Sequence, residues 1–530
     1  MAAADSKSSA DVITPAPEIQ REHDRAAEFL ASHGDTSFTV EEEKAVLRKI
    51  DMRVLVLLLW AYFFQQLDKS TLSVFGIVDD AHLVGKQYSW LGSILYIAQL
   101  IMQPVAAVLL VKLPNGKVIA SAVFLWGSAL CIMSACTNFA SLLGLRFVLS
   151  KGTFEAMIAP CCVAITQMWW RRGEQTLRVS YWSAMNGVTS IVGSLFTYGL
   201  GHIQSKTMFK YQIIFLFCGL LTVAYSLIVF CLMPDSPMEA KFISDREKVI
   251  ATERLRANQM GVASRTWRWD HVWETALDLK TWCWFFAILA ISISSGGITT
   301  FGSLIVKSFG YSSFQTILFN IPFGAIQVIS IIGTGWIAQK IQRKGLVIAG
   351  TSVLPTIGTV LLLTIPRHQK GVLLFGYYLV SCLAAITPML FNWQAVNSGG
   401  DTKKKCTSAV VFIGMCAGNV IGPLLYSTDQ APLYRAGLIS NLIMFVLVGV
   451  IAALIPFYLM FLNRRHAKRR EEMGKSATII DESMISKDKM QASKAVEVED
   501  AQMPQHRTLA EDRGLLDLTD LKNEDFVYVY

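Results

Sequence analysis

The chain has 530 residues, of which 53% are hydrophobic and 17% charged, with a formal net charge of +8. That balance, with a positive mean hydropathy, excludes an ordinary soluble domain and makes lipid the solvent for most of the chain. The basic excess falls in short clusters between long apolar runs, which excludes a nucleic-acid footprint and reads as membrane topology.

Residues 1 to 38 are polar and show no short apolar stretch ending in a cleavage site, so insertion is expected to begin with the first span. Thr39 followed by Glu42 is a capping-box signal for a short amphipathic helix leading into that span. About twelve apolar segments follow, each long enough to cross a bilayer. Their limits are 54–78, 88–111, 117–137, 140–168, 179–203, 211–233, 282–306, 314–338, 345–365, 371–397, 406–427 and 436–462. Backbone groups cannot go unpaired in lipid and no alternating barrel pattern is present, so these segments are expected to be helices.

Lys and Arg gather in alternate connections, at Arg48, Lys49 and Arg53, at Arg171, Arg172 and Arg178, at Lys403, Lys404 and Lys405, and at Arg464 to Arg470. That bias places both termini on the cytoplasmic side. The interior gap 234–281 carries both charge signs and is expected to form a cytoplasmic linker with short surface helices. The layout is therefore an N-terminal segment (1–53), a six-helix half (54–233), the linker (234–281), a second six-helix half (282–462) and a polar tail (463–530) expected to be disordered. The fold class is an all-α membrane protein of 12 spans in two halves.

Ionisable residues inside spans cost several kcal/mol, about 2.5 to 3.5 each on insertion scales, and so demand a partner, a wet cavity or a function. Asp68 and Lys69 lie in span one, and Arg146, Lys151 and Glu155 in span four. One reading makes Asp68 and Glu155 proton carriers, with Lys69, Lys151 or Arg146 neutralising a substrate carboxylate, because an arriving charge shifts the pKa of a carboxyl in a dry cavity. The other makes all five static interhelical ion pairs. Lys151 and Glu155 share a helix face. Arg146 and Glu155 face opposite ways on an ideal helix, so a distortion at Gly152 or a π-bulge is needed to bring them together.

Softer candidates are Gln65 and Tyr62 in span one, Asn392 in span ten and Asn419 in span eleven. The two asparagines serve either substrate or helix association, and Tyr62 either stacks on a substrate ring or packs the core. The glycine-rich stretches 187–201 and 414–422 suggest close helix contact and gating flexibility. No P-loop, metal-ligand spacing, nucleophile elbow or catalytic triad occurs, so no cofactor and no enzyme activity are expected.

Longer matches in order carry a family pattern. They are Arg48-Lys49-Ile50-Asp51 with Leu67-Asp68-Lys69-Ser70, Arg146-Phe147 with Phe154-Glu155-Ala156 and Ile158-Ala159-Pro160, the run from Gly296 to Ala325, and Cys416 to Pro423 with Ala431-Pro432-Leu433-Tyr434-Arg435. Over residues 40 to 465 the chain resembles the anion:cation symporter family of the major facilitator superfamily, in its fungal allantoate and nicotinate permease-like branch. The resemblance implies the major facilitator fold, with two parallel six-helix halves, and proton-coupled uptake of a small organic anion such as a ureido acid, a pyridine carboxylate or a vitamin. It also implies Asp68, Lys69 and Glu155 at the working site, the proton gradient as energy source and the plasma membrane as location. A monomer embedded in lipid is the expected working unit.

The chain departs from the family pattern in three places. The spacing from Arg146 to Glu155 is longer than usual, which makes Lys151 a candidate replacement. The loop Lys112 to Lys117 lacks the aspartate of the general superfamily motif. Val56 stands where many relatives carry proline. The alternative function is a nutrient sensor that keeps the fold and the binding site but passes little flux.

Overall fold

The structure is a computed structural model and describes residues 29–30, 38–70, 87–149, 154, 156–200, 208–256, 258, 266–311, 313–426, 430, 432–476, 484 and 517–530. Among the described residues every regular element is helical.

Helix α1 (Val40–Ile50) begins where the Thr39 hydroxyl accepts the Glu42 N–H and Glu42 accepts the Thr39 N–H at 2.9 Å, completing the capping box. Those bonds, the Thr39 N–H first and Arg246 next, hold the Glu42 carboxyl below its ordinary pKa. A π-helical stretch, Asp51–Leu55, joins α1 to α2 (Val56–Ser70). Next come α3 (Gln87–Lys112), α4 (Asn115–Met133) and α5 (Phe139–Gly144), the last passing into a second π-helical stretch at Leu145–Leu149. Helices α6 (Ile158–Trp169), α7 (Arg172–Leu200) and α8 (Lys210–Leu232) complete the first half. Two short helices, α9 (Asp245–Arg256) and α10 (Trp269–Leu277), lie between the halves in sequence.

The second half opens with α11 (Leu279–Lys307), α12 (Ser313–Leu318), α13 (Asn320–Ile341) and α14 (Lys344–Thr364). In it α15 (Lys370–Val380) continues through a 3-10 stretch into α16 (Ile386–Val396), followed by α17 (Asp401–Leu424) and α18 (Arg435–Glu472). Among the described residues, nine helices are long and apolar enough to cross a membrane, with α15 and α16 counted as one. The expected first and fourth spans run into residues outside the described set, and α7 is long but polar in its first turns. Leu227, Phe230, Ile329, Leu424 and Leu454 stand exposed on the outer faces. A belt of that kind belongs in hydrocarbon, and the chain is a multi-pass integral membrane protein.

Inside the first half α4 packs along α8 and α2 along α7, while in the second α11 packs along α17 and α14 along α18. The halves meet along two seams, α7 on α13 and α3 on α17. Glycine permits the closest approaches. A Cβ on Gly422 would stand 2.2 Å from the Ile293 carbonyl oxygen of α11, and one on Gly187 would stand 2.4 Å from the Gly324 oxygen across the first seam.

Helix α1 is tied to α9 by Glu42–Arg246 at 3.0 Å and Lys49–Glu247 at 2.6 Å. Both therefore lie at one end of the bundle, hereafter the linker end. Helix α10 turns Trp269, Trp273 and Leu277 outward at helical spacing and buries His271 and Thr275, a pattern suited to a membrane interface.

The tail departs from expectation. Helix α18 continues to Glu472, ten residues past the expected limit of 462, and residues 517–530 are packed rather than disordered. The reason is that Phe526, Tyr528 and Val529 are buried and that His466, Arg469 and Arg470 on the extended α18 donate hydrogen bonds to backbone oxygens of the segment. Average polarity over the tail hides this short apolar run.

Candidate functional site

Tyr62 and Gln65 lie one turn apart on α2, and the Tyr62 ring sits 5.0 Å from the Trp182 ring of α7. Gln65 is buried. Asp68 and Lys69 occupy the next turn of the same helix, with side chains outside the described residues, and Lys151 and Glu155 lie outside them altogether. Arg146 falls in the π-helical stretch Leu145–Leu149, which packs against α3 and α4, and is 2% exposed. The π turn shifts the register between Arg146 and the residues after it, and such turns recur at functional sites.

Two polar residues on α3 were not singled out from sequence. Gln99 and Gln103 are both buried four residues apart, and that i, i+4 spacing in an apolar run was the available signal. The Gln99 Oε1 lies 3.7 Å from Cys416 Sγ across the second seam, and Gln103 donates to the Ala156 oxygen at 3.3 Å. A cavity of about 10 Å³ beside Gln103, Pro160, Gln167 and Ser408 has room for about one water.

Asn392 and Asn419 have partners within the protein. Asn392 Nδ2 donates to Thr176 Oγ1 at 2.7 Å, from α16 of the second half to α7 of the first. Asn419 Nδ2 donates back to the Met415 oxygen at 2.9 Å along α17.

At the linker end the halves are closed on each other. Helix α16 leaves carbonyls of its last turn without intrahelical partners. Donors from the other half fill them, Gln167 Nε2 to the Ala395 oxygen at 2.8 Å and Arg172 Nε to the Val396 oxygen at 2.9 Å. Gln339 Nε2 adds a bond to the Gly173 oxygen at 3.3 Å.

Charged groups around this seam are paired in sets. Arg178 takes Asp51 with two bonds, at 2.7 and 3.2 Å, and Trp170 Nε1 donates to the same carboxylate at 2.8 Å. Arg254 holds both Glu174 oxygens at 2.5 and 2.6 Å and reaches Glu43 at 3.4 Å, while Arg171 meets Glu43 at 3.0 Å. Lys403, counted from sequence among the topology charges, is instead buried among Glu274 at 2.8 Å, Asp278 at 2.9 Å and Asp520 at 3.0 Å. Lys280 pairs with Asp278 and with Asp520, the latter at 2.6 Å. Burial by itself would raise the Asp520 carboxyl, but the Lys280 and Lys403 ammoniums outweigh it and hold the pKa well below the usual range.

Residues 58–423 match the Major Facilitator Superfamily. The chain is 34% identical over 454 residues to the uncharacterized transporter C757.13 of Schizosaccharomyces pombe, covering 85% of this chain and 86% of that one. It is 29% identical over 467 residues to the allantoate permease of Saccharomyces cerevisiae, covering 85% of each. Among solved structures it is similar to FucP, the E. coli fucose:proton symporter, in its outward conformation, with a TM-score of 0.57 over 75% of this chain and 97% of that one. At 16% identity that likeness shows the fold. A match spanning both halves places the protein with transporters rather than enzymes: it belongs to the major facilitator superfamily.

Proposed function

We propose that the protein takes up a small carboxylated or weakly acidic nutrient together with protons, by rocking of its two halves about a site near mid-depth. The observation that carries this reading is Arg146, a cation buried on a π turn in the expected fourth span, since an ionisable residue inside a span marks a functional site. The likeness to a protein named allantoate permease supports a carboxylate as the substrate class.

Asp68 and Glu155 take up and release the proton, since a carboxyl in a partly dry cavity changes its pKa when a charge arrives or leaves. Lys69, with Arg146 or Lys151, neutralises the substrate carboxylate. Tyr62 and Gln65 on α2 and Asn419 on α17 supply ring and amide contacts. Asn392 joins them once opening of the linker end frees it from Thr176. The proton gradient supplies the energy and no cofactor takes part. Positive charge at the linker end supports a cytoplasmic location for that end and for both termini. Twelve spans, a lipid-embedded monomer and the plasma membrane complete the reading.

The test is substrate-driven proton uptake in proteoliposomes, screened with radiolabelled carboxylates that include allantoate and nicotinate. Saturable uptake that collapses with a protonophore is expected. Asp68→Asn and Glu155→Gln lose proton flux and Lys69→Ala loses substrate uptake. Wild-type proton flux in all three would overturn the assignment, and binding without flux would make the protein a sensor.

A further inference from the structure

Residues 517–530 occupy a site built for them. Asn397, just past α16, exchanges two hydrogen bonds with the backbone of Val529, donating to its oxygen at 2.9 Å and accepting its N–H at 2.8 Å. Asn463 on α18 does the same for Tyr528, at 2.9 and 2.8 Å. Two side-chain amides thus satisfy both the N–H and the C=O of two successive residues. Trp393 Nε1 adds a bond to the Val529 oxygen at 2.8 Å. Further along, Asp520 enters between Lys280 and Lys403 and accepts the Gly399 N–H at 3.1 Å. The approach is close enough that a Cβ on Gly399 would stand 2.9 Å from the Asp520 nitrogen.

Most of these partners belong to the second half, but one does not. Arg172 opens α7 in the first half, donates to the Val527 oxygen at 2.7 Å and carries its guanidinium 4.7 Å above the Phe526 ring. The same side chain holds the Val396 oxygen across the seam. Separating the halves at this end therefore requires Arg172 to leave both α16 and the seated segment.

The charge pairing suits reversible docking. If Asp520 withdraws, Lys280 and Lys403 keep Asp278 and Glu274 as counterions, so an empty site holds no uncompensated buried cation.

We propose that the linker end carries a peptide-binding site whose ligand is this chain's own segment Asp517–Tyr530, and that the seated segment clasps Arg172 to the second half and holds the linker end closed. The site takes a peptide whose aspartate sits in a turn ahead of an aromatic and β-branched run, Phe526–Tyr530. The gating consequence rests on the rocking of the two halves proposed above. Undocking precedes opening, and the tether from α18 keeps the segment at high local concentration for rebinding.

The experiment places a reporter cysteine in the seam, Ala395→Cys, in the purified full chain, and follows its labelling by a bulky polar maleimide. The same chain without the reporter corrects for native thiols. Deleting residues 517–530 is expected to speed labelling about tenfold, the scale of one lost charge-assisted hydrogen bond. A synthetic peptide of residues 517–530 restores the slow rate and a scrambled peptide does not. Phe526→Ala, which removes the ring under Arg172, shows a smaller acceleration. Equal rates with and without the segment, or no slowing by the peptide, overturn the proposal. Should the deletion variant fail to fold, Phe526→Ala and Val529→Pro decide on the same readout, and parental rates in both overturn it. Labelling needs neither substrate nor a proton gradient. Loss of the clasp effect with intact proton-coupled uptake therefore refutes the clasp alone, and the reverse result refutes the transport reading alone.

Discussion

Asn392 and Thr176, one from each half and 216 positions apart in the chain, share a hydrogen bond of 2.7 Å in a buried seam. A neutral amide and a hydroxyl thus help to close the linker end, where a bond can be exchanged for water when the halves part. Asn392→Ala removes about 1 kcal/mol from the closed state. Labelling of the Ala395→Cys reporter should then quicken about fivefold, at little cost in melting temperature because the bond joins the halves rather than building either one. A slower rate in the variant would contradict the role given to this pair.

Arg254 bridges Glu174 and Glu43 on a side chain with no exposure, and Arg171 supplies the second cation of the set. Removing Arg254 leaves two carboxylates with one cation in a buried site, at a cost of about 3 kcal/mol. Thermal unfolding of Arg254→Ala in detergent should show the loss. Arg254→Lys should recover only part of it, since an ammonium cannot hold two carboxylates with the fork of a guanidinium.

His271 supplies a pH dependence. Burial is the main cause that lowers its imidazole pKa from the ordinary value of about 6.5, and Arg268 lowers it further, while Asp517, Asp270 and Glu274 act to raise it. With the folded pKa below the unfolded one, the unfolded chain binds the proton first. The contribution to stability is therefore complete above about pH 6.5 and lost as pH falls toward the folded value. The melting temperature of the wild-type protein should drop on acidification through that window, and His271→Asn should remove part of the slope. A steeper fall in the variant would show the sign to be wrong.

For transport, Arg146 is expected to matter more than its position on an ideal helix suggests, because the Leu145–Leu149 stretch is π-helical. Arg146→Gln should cut uptake at low substrate at least about tenfold, the scale of a charge-assisted hydrogen bond to an anion. Arg146→Lys should recover a fraction. Uptake assays at several substrate concentrations separate lost affinity from lost turnover, and unchanged uptake in Arg146→Gln would remove this residue from the site.

Two glycines separate packing inside a half from packing between halves. Gly422→Ala drives a methyl toward the Ile293 oxygen within the second half and should lower stability by about 1 to 3 kcal/mol. At Gly187 the same change acts on the seam with Gly324, so it should alter reporter labelling and uptake more than melting. Equal effects on melting at both positions would count against a seam that moves.

The sequence alone determined the membrane class, the helical state, most helix positions and the crowding of positive charge at one end, because apolar run length and backbone satisfaction in lipid are local requirements. It also carried the Thr39–Glu42 capping box, a consequence of helix geometry. The i, i+4 pair Gln99 and Gln103 is legible in the sequence as a polar face within an apolar run, a weaker signal than an intramembrane charge.

Tertiary structure alone decided which distant polar groups meet. It gave Asn392 to Thr176, placed Lys403 inside an ion cluster rather than at a solvated face, and seated Asp517–Tyr530 against Asn397, Asn463 and Arg172. No local pattern encodes such pairings. A lysine or asparagine carries the same propensity whether it ends in water or in a buried partner's reach, and the choice is made when helices hundreds of residues apart pack and leave each buried polar atom to be satisfied.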